Sequence, residues 1–370
     1  MRDTVEPSIL QAKPYIPGKP IEDVKRELGL KRVIKLASNE NPFAPSPKVL
    51  KAIRTAALGV NRYPDGGCYS LRKKLAQRLK VDPGQLIFGN GSDELIIFAA
   101  RVFLKEGDEV IIAKPSFLIY QMAAKIEGAV VREVPLVNFR YDLEAMKRMV
   151  NSKTRIVFLG NPDNPAGTYL TQKQVAQFLE GLPSRVLVFI DEAYYEYVTA
   201  KDYADSIGLI KKYSNLVVSR TFSKMYGLAG LRIGYGVGRP EVIDLLNRVR
   251  EPFNVNSIAQ AAAIACLDDQ GYYKKLAKIF ETERKRLYRS LDVLAVRYEP
   301  SCTNFIQIDV GPQAGKVARE LLKLGVIVRD MTVWGLRSHI RVTIGTAQEN
   351  QIFIKALKKV TKSQSHKVTN

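Results

Sequence analysis

Apolar and polar positions follow two periods along this chain. From about residue 45 onward, short β-rich apolar runs alternate with stretches whose apolar residues recur at helical spacing. The apolar runs predict strands at Leu86–Gly89, Glu109–Ala113, Ala129–Pro135, Arg155–Gly160, Val186–Ile190, Leu216–Arg220 and Leu231–Val237. Helical patterns lie between them, near 69–80, 92–104, 116–127, 171–180 and 240–249. Strands that are apolar almost throughout are covered on both faces, so the alternation implies an α/β fold around a mostly parallel sheet flanked by helices. Residues 1–38 hold no long periodic stretch, and PYIPGKP (14–20) reads as extended and turn-like. Proline fixes φ and disfavours helix at the residue before it.

After Glu251-Pro252, the Ala-rich SIAQAAAIACL (257–267) and a charged stretch to about 295 read as one long connecting helix. Its Leu276, Phe280, Leu287, Leu291 and Leu294 form a core-facing stripe. A smaller α+β unit follows, with strands near Phe305–Asp309, Val326–Arg329 and Ile340–Thr343. The expected division is an arm over 1–38 packing on the small domain and the site entrance, then a large domain over 39–255. The connecting helix takes 256–295, the small domain 296–360, and a frayed tail 361–370.

Composition sharpens this picture. The 370 residues, 46% apolar and 25% charged, are those of a soluble globular protein too long for one simple core. Only two histidines occur, His339 and His366, which leaves little for a His-based triad or a zinc centre, and no metal site is expected. Cys68, Cys266 and Cys302 show neither pairing nor metal spacing. MRDTVEPSILQAKPYIPGK lacks the apolar core of a signal peptide, and no run reaches membrane-span length. A cytoplasmic setting is expected. The surplus of Lys+Arg (57) over Asp+Glu (37), a net +20, fits nucleic acid, an anionic substrate or a solvated surface. Its spread along the chain, without aromatic interleaving, argues against nucleic acid.

Ligands of open α/β sheets bind beyond the carboxyl ends of the strands. Four such ends carry unusual residues. In FGNGSDEL (88–95), Gly89 and Gly91 allow close backbone approach, and Ser92-Asp93 open a helix that can hold a phosphate; an ordinary Ser92 N-cap is the plain alternative. GNPDNPAGT (160–168) forces an irregular loop, either a simple turn or a ligand-facing Asn. VLVFIDEAYYEY (186–197) runs from five apolar residues into Asp191, Glu192 and Tyr194. A carboxylate there needs a strong donor, a metal or a protonated heterocyclic nitrogen, unless it is merely an exposed turn acid. In VVSRTFSKMYGLAGLRIGYGVG (217–238), Lys224 follows a strand amid hydroxyls, with Arg232 eight residues on. That suits a Schiff-base lysine with phosphate ligands nearby, against the alternative of a surface lysine. GYGVG (234–238) and GPQAGK (311–316) match neither dinucleotide nor P-loop spacing.

Order and spacing together resemble the pyridoxal-phosphate aminotransferases of fold type I, and within them the histidinol-phosphate aminotransferases. The matching segments are PYIPGK (14–19), LASNENPFAPSP (36–47), RYPDGGCYSLR (62–72), GNGSDELI (89–96), NPDNPAG (161–167), DEAYYEY (191–197), RTFSKMYGLAGLRIGY (220–235), EPFNVNSIAQAAA (251–263) and IRVTIGT (340–346). The resemblance implies pyridoxal 5′-phosphate as cofactor and a large cofactor-binding domain beside a small one. It implies Lys224 as the Schiff-base lysine, Asp191 at the pyridinium nitrogen, Asn164 and Tyr194 at the phenolic oxygen, and Phe117 on the ring face. The phosphate is implied to lie on Gly91, Ser92 and Asp93 with Ser223, Arg232 and Thr221, and with Tyr63 reaching it from the other subunit of a homodimer. Arg341 is implied to grip an α-carboxylate, Arg329 the substrate phosphate, and Tyr15 and Asn39 to line the entrance; Arg337 is a further neighbour.

Two departures stand out. Asp163 and Ala166 replace the family's common Asn and Thr in this loop, and Phe117 is often Tyr. The implied reaction is transamination of histidinol phosphate with 2-oxoglutarate in histidine biosynthesis. Aromatic amino-acid transamination and decarboxylation of a phosphorylated amino acid share much of this pattern.

Overall fold

The computed structural model describes residues 4–11 and 19–365. Twelve strands form two sheets among the described residues. In chain order they are β1 (Ile34–Leu36), β2 (Leu86–Gly89), β3 (Glu109–Lys114), β4 (Val130–Pro135), β5 (Thr154–Gly160) and β6 (Leu187–Asp191). They continue with β7 (Leu216–Thr221), β8 (Gly234–Val237), β9 (Arg297–Glu299), β10 (Phe305–Asp309), β11 (Val326–Asp330) and β12 (His339–Thr343).

The large sheet has the order β2-β8-β7-β6-β5-β3-β4. Only β8 runs against the rest, antiparallel to both β2 and β7. Alternate residues of its central strands enter two cores. Ile156, Phe158, Leu187 and Phe189 pack with the helices Ser92–Phe103 and Leu118–Ile126. Val157, Leu159, Val188 and Ile190 join a larger cluster that continues into the small unit through Phe305 and Ile340. Burial on both faces explains the unbroken apolar runs, and the parallel direction puts the ends of β5, β6 and β7 side by side.

The small sheet has the order β1-β11-β12-β10-β9. Its edge strand β1 comes from the segment preceding the large sheet and pairs parallel to β11. Three residues carry no readable period, and β1 and β9 are absent from the strands expected above for that reason. Helices absent from the expectation include Ile21–Leu28, Pro47–Ala57, Ala314–Lys323 and Ala347–Ser365. The first of these buries only Val24 and closes on Gly29 in the left-handed region. The last continues helical through the first residues of the tail expected to fray, to Ser365.

Two further boundaries are corrected. The connecting helix is two helices, Ser257–Asp268 and Gln270–Val293, broken where Asp269 leaves helical geometry. Its stripe is nevertheless core, with Leu276, Phe280, Leu287 and Leu291 buried. The strand expected from Leu231 starts only at Gly234, because Arg232 takes φ +57. PYIPGKP lies almost wholly outside the described residues.

Candidate active site

The carboxyl ends of the large sheet face the small sheet across a cavity of about 430 Å³. Its lining includes Asn39, Ser92, Asp93, Phe117, Asn164, Asp191, Tyr194, Thr221, Ser223, Lys224, Arg232, Arg329 and Arg341, gathered from segments hundreds of residues apart. Gly91 stands at its edge as the N-cap of the helix Ser92–Phe103. Tyr63 is elsewhere, 83% exposed, with its ring stacked on Phe253 at 4.8 Å. Arg337 lies exposed on the turn before β12 and does not line the cavity. Tyr15 lies outside the described residues.

In this cavity the chain makes an anion cradle. Gly91 caps the helix with φ +89 and no side-chain hydrogen bond, so Ser92 sits inside the first turn rather than capping it. The first N–H groups and the helix dipole therefore face the cavity without a competing cap. A Cβ on Gly91 would stand 2.4 Å from Arg232 Nη2, and one on Gly234 2.5 Å from the Ser92 nitrogen. Arg232 Nη2 meets Asp93 Oδ2 at 3.2 Å, while Ser223 N–H donates to Thr221 Oγ1 at 3.0 Å. Glycine backbone, an arginine and two hydroxyls converge, which is a donor set for a phosphate.

Asp191 closes β6 on the same cavity. Its Oδ2 accepts from Tyr120 OH (3.1 Å), and its Oδ1 from Ala193 N–H (3.1 Å) and Ser219 Oγ (3.3 Å). Burial, then the Asp93 charge, push the carboxyl up to about 6 despite these donors. A buried carboxylate held only by neutral donors suits a protonated ring nitrogen as its cationic partner. The phosphate cradle, this carboxylate and Lys224, on the loop after β7, line one cavity, and that set of groups fits pyridoxal phosphate. Tyr194 lies under the Lys224 ammonium, with the nitrogen 5.7 Å from its ring centroid.

Asn39 ties the parts together. Fixed at φ +54 and 2% exposed, it donates through Nδ2 to Tyr194 OH (3.0 Å) and through its backbone to Thr343 Oγ1 (2.9 Å). Asn164 Oδ1 accepts from Arg341 Nη1 at 2.5 Å. Phe117 packs edge-on against Tyr120, ring centroids 5.5 Å apart. The Asp163 departure is accommodated: its buried carboxyl accepts from Tyr141 OH at 2.7 Å and from Ala166 N–H at 2.9 Å. Burial pushes Asp163 up to about 6 as well.

The sequence reading missed two residues. Tyr120, fully buried behind Asp191, follows Phe117 by one helical turn, a spacing that was available as a signal. Trp334 lines the cavity from the turn between β11 and β12, and no motif marks it.

The comparisons with known proteins agree with this geometry. The family model "Aminotransferase class I and II" matches residues 31–357. Histidinol-phosphate aminotransferase of Moorella thermoacetica is 47% identical over 354 residues, 95% of this chain and 92% of that protein. The enzyme of the same name from Geobacillus thermodenitrificans is 48% identical over 337 residues, 91% of this chain and 92% of its own. Among solved structures, histidinol-phosphate aminotransferase from Sinorhizobium meliloti, in complex with pyridoxal-5′-phosphate, superimposes with a TM-score of 0.91 at 31% identity, covering 98% of both chains. Cavity, cradle, carboxylate and lysine thus stand in a chain that belongs to the class I and II aminotransferases and is similar, along nearly its whole length, to the histidinol-phosphate aminotransferases among them.

Proposed function

We propose that this chain catalyses reversible transamination between L-histidinol phosphate and 2-oxoglutarate, giving imidazole acetol phosphate and L-glutamate, and runs towards histidinol phosphate in histidine biosynthesis. The observation that carries this reading is the pairing of Arg329 with Arg341 on the wall of a cavity that also holds Lys224 and Asp191. Arg341 grips the α-carboxylate of glutamate, and Arg329 the phosphate ester, each by the planar fork that suits these anions. Asn39 lines the same cavity.

Gly91, Ser92 and Asp93, with Thr221, Ser223 and Arg232, would hold the phosphate of pyridoxal 5′-phosphate. When bound, the cofactor supplies an electron sink for negative charge at the substrate carbon. Asp191 would accept from the ring nitrogen and keep its proton in place, Asn164 and Tyr194 would orient the phenolic oxygen, and Phe117 would cover the ring face. Lys224 would hold the cofactor, and its Nζ, as the neutral amine, would carry the proton from the amine-bearing carbon of the substrate to the cofactor's C4′ carbon.

The same reading makes the enzyme a homodimer. Leu58, Val60, Tyr63 and Tyr69 expose 87%, 61%, 83% and 68% of their surface in one short segment, the apolar rim from which Tyr63 reaches a second copy's cradle. The unpaired Cys68, Cys266 and Cys302 support a reducing, cytoplasmic setting. The chain divides into the arm, large domain, connecting helices and small domain at the boundaries given above.

A panel of amino donors with 2-oxoglutarate, with and without added pyridoxal phosphate, tests the substrate. Histidinol phosphate should be turned over fastest. Faster turnover of phenylalanine or tyrosine overturns the choice, and release of carbon dioxide from a phosphorylated amino acid replaces transamination by decarboxylation.

A further inference from the structure

Trp334 is the chain's single tryptophan, and none of the roles above uses it. β11 and β12 run antiparallel and pair Arg329 directly with Arg341. Side chains of opposed residues leave on the same face, where two like charges repel. Trp334 ends the short turn Thr332–Trp334 that follows β11, and its indole faces both guanidinium groups. The Arg329 Cζ lies 5.0 Å from the ring centroid and the Arg341 Cζ 5.5 Å. The negative face of the ring offsets the repulsion between the two cations. At the ring's edge, Nε1–H donates to the Ser116 carbonyl at 3.0 Å. Ser116 precedes Phe117 on the opposite side of the cavity, so one side chain joins the arginine pair of the small sheet to a loop of the large one.

The two arginines depend on the indole unequally. Arg341 is also held by Asn164 Oδ1 and lies 5.0 Å over the Phe305 ring. The Arg329 guanidinium makes no hydrogen bond or ion pair with another protein group among the described residues, and the indole is its orienting contact. We propose that Trp334 is a positioning residue for anion recognition, setting Arg329 for the phosphate ester and leaving Arg341 largely in place. This rests on the assignment of Arg329 and Arg341 under the proposed function.

Cofactor-loaded wild type, Trp334→Phe and Trp334→Leu separate the ring face from the N–H. In Trp334→Leu, KM for histidinol phosphate should rise about tenfold, with a smaller rise for glutamate and kcat within about threefold. Trp334→Phe should recover most of that KM, because a phenyl face remains. Because Trp334 is the only tryptophan, emission of the loaded wild type reports on it alone. Inorganic phosphate should change that emission saturably, and histidinol phosphate should compete. Equal KM changes for both substrates, unchanged KM in Trp334→Leu, or a Trp334→Phe as impaired as Trp334→Leu would each overturn the proposal. If Trp334→Leu does not fold, the emission decides, and emission indifferent to phosphate refutes the role. Wild type that ignores histidinol phosphate but transaminates another donor defeats the substrate reading instead, and the phosphate titration still judges Trp334.

Discussion

Asn164 Oδ1 receives the Arg341 guanidinium at 2.5 Å, joining the loop after β5 in one sheet to β12 in the other. The Asn164 carbonyl thereby fixes the arginine proposed to bind substrate, and its amide N–H groups are left for the role proposed at the cofactor. Arg341→Lys keeps the charge but loses the fork that reaches amide and carboxylate together. Its KM for glutamate and 2-oxoglutarate should rise by about 10- to 100-fold, the cost of a charge-assisted bond. Steady-state kinetics with each substrate varied in turn will show it, and Asn164→Ala should reproduce part of the rise.

Tyr120 OH is one of three donors to Asp191. Hydrogen bonds to a carboxylate favour its charged form, so removing one raises the carboxyl further. Tyr120→Phe should therefore move the acidic limb of the kcat/KM profile to higher pH, by roughly one unit. Activity above that limb should change little. An unmoved limb would mean that Asp191 is not the group whose ionisation the reaction needs.

The legible part of the molecule was its buried strands and the residues that terminate them. β2 and β10 are read to the residue because burial on both faces makes them apolar and glycine or charge ends them. Lys224, Asp191 and Asn164 stand out because polar groups directly after such strands have few structural reasons to be there. β1 was illegible for the opposite reason. Its three residues, Ile-Lys-Leu, become a strand only because β11 offers an open edge, a fact recorded three hundred residues away. Trp334 was hidden likewise, since its partners Arg329, Arg341 and Ser116 meet only in the folded chain. The split at Asp269 reflects a local hydrogen-bond change that the apolar stripe, continuous on either side, does not register.

Asp191 also makes a prediction about the cofactor-free protein. Its folded value, pushed up to about 6 by burial, exceeds the ordinary carboxylate value. Ionisation therefore costs the folded state, and stability falls as pH rises from about 4 through about 6. Asp191→Asn removes that cost, so the cofactor-free variant should be more stable above this range by roughly 2–3 kcal/mol. The same change deletes the proposed partner of the protonated ring nitrogen, so turnover should fall by about a hundredfold or more. Denaturant melts at pH 5 and 7.5, with and without cofactor, will separate the two effects.

Lys224→Ala should abolish transamination while leaving the fold intact, because the side chain faces the cavity, where its ammonium meets only the face of the Tyr194 ring among the described contacts. Borohydride treatment followed by mass spectrometry should fix the cofactor to Lys224 of the wild type and to no residue of the variant. Transamination by the variant at a normal rate would remove Lys224 from the chemistry.

Gly234 offers the sharpest test of the cradle. Its missing side chain is what lets β8 lie against the helix start, since a Cβ would come within 2.5 Å of the Ser92 nitrogen and 2.9 Å of the Gly91 carbonyl carbon. Both are backbone atoms and cannot swing aside, so Gly234→Ala must push the first turn of the helix away from β8. That displacement spoils the phosphate site and overpacks the core beneath it, at about 1–3 kcal/mol of stability. Cofactor affinity should fall about tenfold or more, read as a higher pyridoxal phosphate concentration for half-saturation. Gly271→Ala is the control. It lies in the helix Gln270–Val293, far from the cradle in sequence, and a Cβ there meets nothing within 4 Å. That substitution should stabilise by about 0.5–1 kcal/mol through helix propensity and leave cofactor affinity unchanged. If both alanine variants bind cofactor like the wild type, the helix start does not hold the phosphate.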